Sequence, residues 1–524
     1  MMEEGIGAWI SVESLRWPLT IAYLGLICLI SLYGLHRYWL VYLFRKNLKN
    51  RKRPMSRYED LPKVTVQLPM FNEFAVVERI IDAACEIDYP KSKLQIQVLD
   101  DSTDDSKLIA EARCQYWQER GIDIQYIHRT DRTGYKAGAL SAAMPQCTGE
   151  LVAIFDADFV PPKNFLKRTV NFFTDPELGM VQTKWGHINR DDSLLTKGQA
   201  IFLDGHFIIE HTARNRSGAW INFNGTAGIW RKQAIADGGG WQHDTLTEDV
   251  DLSYRTQLAG WKFLFLPWLT CPAELPPEIN SFKSQQHRWT KGSIQTALKL
   301  LPRVLKAPVS WKIKTEAFFH LTSPMVYLYI TLLAILFYPA IYVNLNAFED
   351  QRILGILVGM SFFALGTISG TVFYIVSQKV QRRSAWSTLI QVPILMAIGI
   401  GIALNNAIAC LEALVGYETP FIRTPKYNVP GLNSDTPPSE KPSKQKLGVI
   451  PIPTLKRSIC LLEIGLGVYM LECIRMSLIY DSTVVSLPFL ALFASGYLYV
   501  GLSSLWVHVQ AWKDARRPLP AAAT

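Results

Sequence analysis

None of the eight cysteines forms a CxxC pair, and none has the spacing of a zinc site. That excludes a thioredoxin-like redox centre and a cysteine-built zinc module. Cys28, Cys410, Cys460 and Cys473 sit in apolar runs, and Cys85, Cys114, Cys147 and Cys271 are scattered between them. They read as reduced thiols used as small apolar residues. Charge is also sparse, at 19% of residues against 49% hydrophobic. No basic-aromatic recognition motif accompanies the formal charge of +9, so nucleic acid is not an expected partner. The first apolar run, beginning near Trp17, lacks a small-residue cleavage site and is too long for a signal-peptide core. It reads as a retained anchor. Long apolar runs are missing between Tyr58 and Gly292, and most lie before Phe44 or after Phe318.

That distribution predicts membrane spans around a soluble domain. Runs of about 20 apolar residues fall at Trp17–Tyr33, Phe318–Val343, Ile353–Val376, Thr388–Leu414, Ile459–Ile479 and Val484–Val507. Arg37, Arg45, Lys46, Lys49, Arg51, Lys52 and Arg53 follow the first run, whereas the segment before it has only Arg16 as a basic residue, beside Glu3, Glu4 and Glu13. Positive-inside bias then puts the N-terminus outside and Tyr58–Gly292 in the cytosol. Thr388–Leu414 has basic residues on both flanks, Lys379, Arg382 and Arg383 before it and Arg423, Lys426, Lys441, Lys444 and Lys446 after it. Gly399, Gly401, Asn405, Asn406 and Glu412 also interrupt it. It is therefore expected to lie in the plane or re-enter, leaving five true spans. The expected organisation is an anchor (1–57), a cytosolic domain (58–284), amphipathic interface helices (285–317), two spans (318–376), a re-entrant helix with a loop (377–457), and two spans with a short tail (458–524).

Within the cytosolic domain, strand-like runs alternate with helical patterns. Val64–Leu68, Leu94–Leu99, Ile122–Ile127 and Leu151–Phe155 read as strands, and Phe74–Glu86, Lys107–Glu119 and Lys136–Met144 as helices. This alternation predicts an α/β fold with a mostly parallel sheet. Such sheets bind ligands beyond the carboxyl ends of their strands. Asp100-Asp101 and Asp156-Ala157-Asp158 fall at two of those ends. Asp100-Asp101-Ser102 alone could cap a helix. Carboxylates two positions apart, as in Asp156 and Asp158, can share a hard cation such as Mg²⁺ that bridges phosphates and stabilises a departing diphosphate. Thr247-Glu248-Asp249 precedes an amphipathic helix, where Thr247 could be a cap and Asp249 a general base for an acceptor hydroxyl. In Gln285-Gln286-His287-Arg288-Trp289, Arg288 offers a fork for phosphate and Trp289 a flat face for a sugar ring.

In order and spacing these motifs resemble the D, DxD, (T/E)ED, QxxRW signature of the processive branch of glycosyltransferase family 2. The resemblance runs from about Val64 through the last spans and is nearest to cellulose-synthase-like proteins of the A and C groups. It includes VQLPMFNE at Val66–Glu73, QVLDDSTDD at Gln97–Asp105, GYKAGAL at Gly134–Leu140, FNGTAGIWR at Phe223–Arg231, TEDVDLSYR at Thr247–Arg255 and QQHRW at Gln285–Trp289. It implies a GT-A-type domain and an inverting, processive transferase that elongates a β-linked glucan or mannan, with β-1,4 the expected linkage, and translocates it across the membrane. Asp100 or Asp101 would contact the nucleobase, and Lys136 the nucleotide or diphosphate. Asp156 and Asp158 would bind nucleotide and Mg²⁺ or Mn²⁺, Asp158 most directly. Asp249 would be the base, beside Glu248. Gln285, Arg288 and Trp289 would define the acceptor and diphosphate end. Gln182 and Thr183 resemble a segment near the acceptor, and Asn224, Gly225 and Thr226 a finger-like loop that approaches it. Phe421–Lys426 resembles a gating loop whose Thr424 would approach nucleotide.

The expected partners are a nucleotide-sugar donor, the growing polysaccharide and the bilayer, and an oligomer is compatible with the sequence. UDP-glucose is preferred over GDP-mannose as donor. The setting implied is a bacterial inner membrane or a Golgi membrane. The tail after Val507 is too short for another folded domain, so the cyclic-dinucleotide domain of bacterial cellulose synthases is not expected; nor is a cysteine-rich zinc domain like that of plant cellulose synthases. The competing enzyme is a non-processive transferase resembling ceramide or diacylglycerol glucosyltransferases. A transporter or scaffold would leave the acidic motifs without a role.

Overall fold

The computed structural model describes residues 12–342, 364–418, 454–479 and 486–515. Thr424 and the rest of the expected gating loop lie outside these, as do parts of Ile353–Val376 and Val484–Val507.

The four expected strands form a seven-stranded sheet together with three that the sequence reading did not identify. In chain order its strands are β1 (Val64–Met70), β2 (Leu94–Asp100), β3 (Asp123–His128), β4 (Leu151–Ile154), β5 (Leu178–His187), β6 (Gly228–Arg231) and β7 (Lys262–Ala273). Their spatial order is β3-β2-β1-β4-β6-β5-β7. β1 runs parallel to β2 and β4, and β5 parallel to β7, while β6 is antiparallel to both its neighbours. β1 and β2 are buried along their whole length, as expected of central strands covered on both faces. One face packs Val66, Leu68, Ile80, Phe155 and Phe165 into a core, and the other packs Val152, Ile154, Met180, Phe223 and Trp230.

The helix Val12–Lys46 extends well beyond the expected Trp17–Tyr33 span. Among the described residues, Trp17–Lys46 and Leu487–Lys513 are long and apolar enough to cross a membrane, and two bent helix pairs raise that number to as many as four. The chain thus has the build of a membrane protein. The bent pairs are Trp311–Thr322 with Met325–Pro339, at 54°, and Ala385–Gly401 with Ala403–Leu414, at 44°. The second is the segment whose basic flanks suggested re-entry, broken where Gly399 and Gly401 lie. Ile459–Ile479 is helical, but with Glu463, Glu472 and Arg475 in it it is not among the helices apolar enough to span. Glu463 instead pairs with Lys283, 2.7 Å away on the helix Ile279–Lys306.

Candidate active site

β1, β2 and β4 are parallel, so Met70, Asp100 and the Asp156–Asp158 turn meet at one sheet edge. β6 runs the other way, which brings the preceding Asn224–Ala227 loop to that same edge. β5 ends there as well, at Trp185–His187. The result is a cleft of about 200 Å³ lined by Asp101, Lys136, Asp156, Asp158, Gly225, Glu248, Asp249, Gln285, Arg288 and Trp289 among others.

Glu248 opens the helix Glu248–Leu258, with Asp249 in its first turn. Thr247 makes no side-chain cap. Its hydroxyl instead meets that of Thr296 at 3.2 Å, on the helix that carries Arg288 and Trp289. A Cβ at Gly292 would lie 2.8 Å from the Thr247 backbone nitrogen, so glycine there is what lets the two helices touch. Asp249 accepts a hydrogen bond from the Val250 N–H. Burial, and then the adjacent Glu248 carboxylate, push its carboxyl up to about 7, against the pull of Lys136. A base poised near neutrality can take a proton from a hydroxyl during reaction and still be ionised beforehand.

Lys136 Nζ lies 2.5 Å from Asp156 Oδ1, donates to the Gly225 carbonyl at 2.9 Å, and is 3.9 Å from Glu248 Oε1. Burial would pull its ammonium pKa down, but Asp156 and Glu248 outweigh it and hold the group charged. Arg288 is lowered by burial and held by the surrounding Glu248, Asp156, Asp249 and Asp158. Lys136 and Arg288 thus share the cleft with the carboxylates of Asp156, Asp158, Glu248 and Asp249. Asp101 is gripped by Arg129 through two bonds of 2.8 and 2.6 Å, and Arg132 stacks 3.3 Å over the Phe71 ring beside it.

Several expected contacts are internal instead. Asp100 is fully buried, accepting from the Ser102 N–H and the Tyr126 hydroxyl, so Asp101 alone of the pair reaches the cleft. Gln182 and Thr183 are also fully buried. Gln182 Nε2 donates to the Thr226 and Ala227 carbonyls, its Oε1 accepts from the Asn224 N–H, and Thr183 donates to the Ala227 carbonyl. They brace the finger-like loop from behind, and neither side chain lines the cleft. Thr226 likewise accepts from the Asp156 N–H.

A polar network absent from the motif reading holds Asn224. His206 Nε2 meets Asn224 Oδ1 at 3.0 Å, His206 Nδ1 meets Glu210 at 3.1 Å, and His211 meets both His206 and Asn224. His206, Glu210 and His211 lie on the π-helical turn Gly205–His211, a geometry that periodicity of 3.6 does not reveal. The pattern GHFIIEH, with polar groups inside an apolar run, was the available signal.

Beyond the cleft a second cavity, of about 940 Å³, shares Trp185, Asn224, Asp249 and Trp289 with it. It continues past His36, His206 and Glu210 to Tyr23, Phe337, Phe489 and Phe493 on the apolar helices. Asp249 and Trp289 therefore stand at the junction of a charged cleft and a long, mainly apolar cavity.

Comparison with known proteins agrees with this architecture. The glycosyltransferase like family 2 profile matches residues 62–292. The chain is 43% identical over 281 residues to glucomannan 4-beta-mannosyltransferase 2 of Arabidopsis thaliana, covering 51% of this chain and 52% of that relative. It is 44% identical over 255 residues to the probable glucomannan 4-beta-mannosyltransferase 7 of Oryza sativa subsp. japonica, covering 47% and 43%. The chain thus spans about half the length of these relatives. A mannosyltransferase from Pyrobaculum calidifontis, solved with GDP-Man and Mn²⁺, shares the fold at a TM-score of 0.50 and 20% identity, covering 78% of this chain and all of that one. Residues 62–292, which carry the charged cleft, are thus similar in sequence to glycosyltransferase like family 2 and in fold to that mannosyltransferase.

Proposed function

We propose that this chain is an inverting, processive β-glycan synthase that transfers hexose from a nucleotide sugar to a polymer lodged in the long cavity. The observation that carries the reading is the shared wall: Asp249 and Trp289 line both the charged cleft and the 940 Å³ cavity. The two mannosyltransferase relatives favour GDP-mannose as donor over the UDP-glucose that the sequence alone suggested.

Donor nucleotide occupies the cleft beside Asp101, with its diphosphate near Lys136 and Arg288. Asp249 takes the proton from the acceptor hydroxyl. That oxygen bonds to the anomeric carbon from the side opposite the diphosphate, whose bond breaks, so configuration inverts. Lys136 and Arg288 receive the negative charge that develops on the leaving group. Trp289 presents a flat face to the terminal sugar, and stacking tolerates sliding better than directional hydrogen bonds do. The polymer advances past His206 and Glu210 toward the apolar helices.

Among the described residues no group of three or more His, Cys, Asp or Glu side chains stands ready to hold a metal ion. Asp156 and Asp158 both line the cleft, a pair of hard oxygen donors that fits Mg²⁺ or Mn²⁺ if diphosphate oxygens complete the shell. Such an ion supplies charge neutralisation at the diphosphate. Titration of the purified protein with GDP-mannose tests this: binding should need Mg²⁺ or Mn²⁺ and weaken at least tenfold in Asp158→Ala, about the loss of one charged interaction. Full affinity in chelator would contradict the ligand assignment.

The segment Ala385–Leu414 is read as re-entrant. Glu412 pairs with Lys291 at 3.0 Å and His287 at 3.4 Å, and Asn405 donates to the Lys283 carbonyl. These partners all lie on Ile279–Lys306, the helix of Arg288 and Trp289. These pairings support a segment whose end stays beside the helix of Arg288 and Trp289.

A further inference from the structure

The end of β5 carries two cleft residues to which the motifs give no role. Trp185 and His187 both line the cleft, and Trp185 also lines the long cavity. The indole Nε1 of Trp185 and both ring nitrogens of His187 are buried and have no hydrogen-bond partner among the described residues. Buried polar atoms in native proteins are nearly always paired, so three orphans on one strand end call for an explanation.

The surroundings fix these groups. Trp185 is wedged between Phe159, Phe207 and Trp289, with ring centroids 5.3, 5.2 and 6.3 Å away. Its N–H therefore cannot swing to find another acceptor. Around His187 stand Asp204, Arg190, Lys184 and Arg383. Asp204 is already bonded by Arg190 at 2.6 Å and Gln378 at 2.9 Å, and Lys184 by Gln381 at 3.0 Å. Burial pushes the imidazole down to about 4 despite Asp204. At neutral pH the ring is thus uncharged, with one N–H donor and one lone pair. A donor on one side of the ring and an acceptor on the other match two separate hydroxyls, one accepting and one donating. An anion would satisfy the donors and leave the lone pair unpaired. Phosphate is served elsewhere in the cleft, by Lys136 and Arg288.

We infer that Trp185 and His187 bind the hydroxyls of the hexose being transferred, as a recognition set separate from the groups that hold the nucleotide. The position suits the role, because Trp185 and Trp289 stand together where the cleft meets the long cavity. This inference rests on the glycosyltransferase reading and adds to it the residues that sense the sugar.

Calorimetric titration of the purified full chain, with Mg²⁺ present, tests it with GDP, GDP-mannose, UDP and UDP-glucose. Trp185→Phe keeps a ring and removes the N–H, and His187→Phe removes both ring nitrogens at similar volume. Wild type should bind one sugar nucleotide more tightly than the matching bare nucleotide. That margin should shrink about 3- to 10-fold in Trp185→Phe and about 10- to 100-fold in His187→Phe, for one and two hydrogen bonds. Bare-nucleotide affinity should not move. Removing orphaned polar atoms should leave the ligand-free melting temperature of His187→Phe unchanged or higher, an outcome a structural histidine would not give. A margin retained in both variants, or a wild type that binds nucleotide equally with and without its sugar, would overturn this inference and leave the nucleotide site standing. A wild type that binds no nucleotide at all would overturn the glycosyltransferase reading, and this inference with it.

Discussion

Asp249→Asn should lower the transfer rate by about 10²- to 10⁴-fold, the usual contribution of a general base, while nucleotide affinity stays within a few-fold of wild type. The amide fills the same space beside Gly225 but cannot accept the acceptor's proton. The wild-type pH profile gives a second signature. With its carboxyl raised to about 7, kcat/KM should rise along an acid limb centred near 7. An aspartate at its ordinary value of 3.8 would leave that range flat. The stability sign follows from the same shift. A carboxyl raised on folding contributes stability that is present below 3.8 and is lost as pH rises through 7. Ionised Asp249 is therefore held at a cost, and the asparagine variant should melt no lower than wild type at pH 8. Near-normal turnover in this variant, or a wild-type rate independent of pH between 5 and 8, would remove Asp249 from the role of base.

Gly225→Val should abolish most activity, by roughly 10²-fold or more, through displacement of reacting groups rather than loss of one. A Cβ at this position would lie 3.2 Å from Asp249 Oδ2 and 3.4 Å from Lys136 Nζ, before any further branch is added. The backbone there has φ of +79°, which a β-branched residue adopts only with strain. Relief by shifting the loop is blocked from behind, where Gln182 and Thr183 bond its backbone at Asn224, Thr226 and Ala227. The variant should keep a nearly normal melting temperature, because the loop rests on an intact sheet, and should lose nucleotide affinity through Lys136. Comparing steady-state rates and nucleotide titrations of Gly225→Ala and Gly225→Val checks this. Equal activity in both variants and wild type would contradict the tight approach of loop, base and lysine.

How far the sequence led can be seen strand by strand. Val64–Leu68, Leu94–Leu99 and Leu151–Phe155 were legible because strands buried on both faces read as unbroken apolar runs, and the acidic residues that follow them mark the rim of the sheet. β5 was not, because LGMVQTKWGH mixes lysine and glycine into a strand that is buried for only part of its length. With it went Trp185 and His187, whose place in the cleft depends on the reversal of β6, a fact of pairing that periodicity does not encode. Motif resemblance pointed to the right segments, but it could not separate a side chain facing the cleft from one facing the loop. Hence Gln182 and Thr183 were expected at an acceptor and are found as braces, and Asp100 and Asp101 were interchangeable until burial told them apart. The ion pairs Lys283–Glu463 and Lys291–Glu412 join residues 180 and 121 positions apart, which no local pattern could link.

The central claim is that the charged cleft builds a polymer which enters the adjoining cavity, and the product tests it most directly. The purified chain in proteoliposomes, with Mg²⁺ or Mn²⁺, is given labelled GDP-mannose or UDP-glucose in separate reactions. Products are sized by gel filtration, extracted with organic solvent, and digested with endo-β-1,4-mannanase or endo-β-1,4-glucanase. The account predicts a high-molecular-weight product from GDP-mannose, insoluble in chloroform–methanol, that the mannanase degrades. A solvent-soluble product carrying a single sugar on a lipid would contradict polymer synthesis.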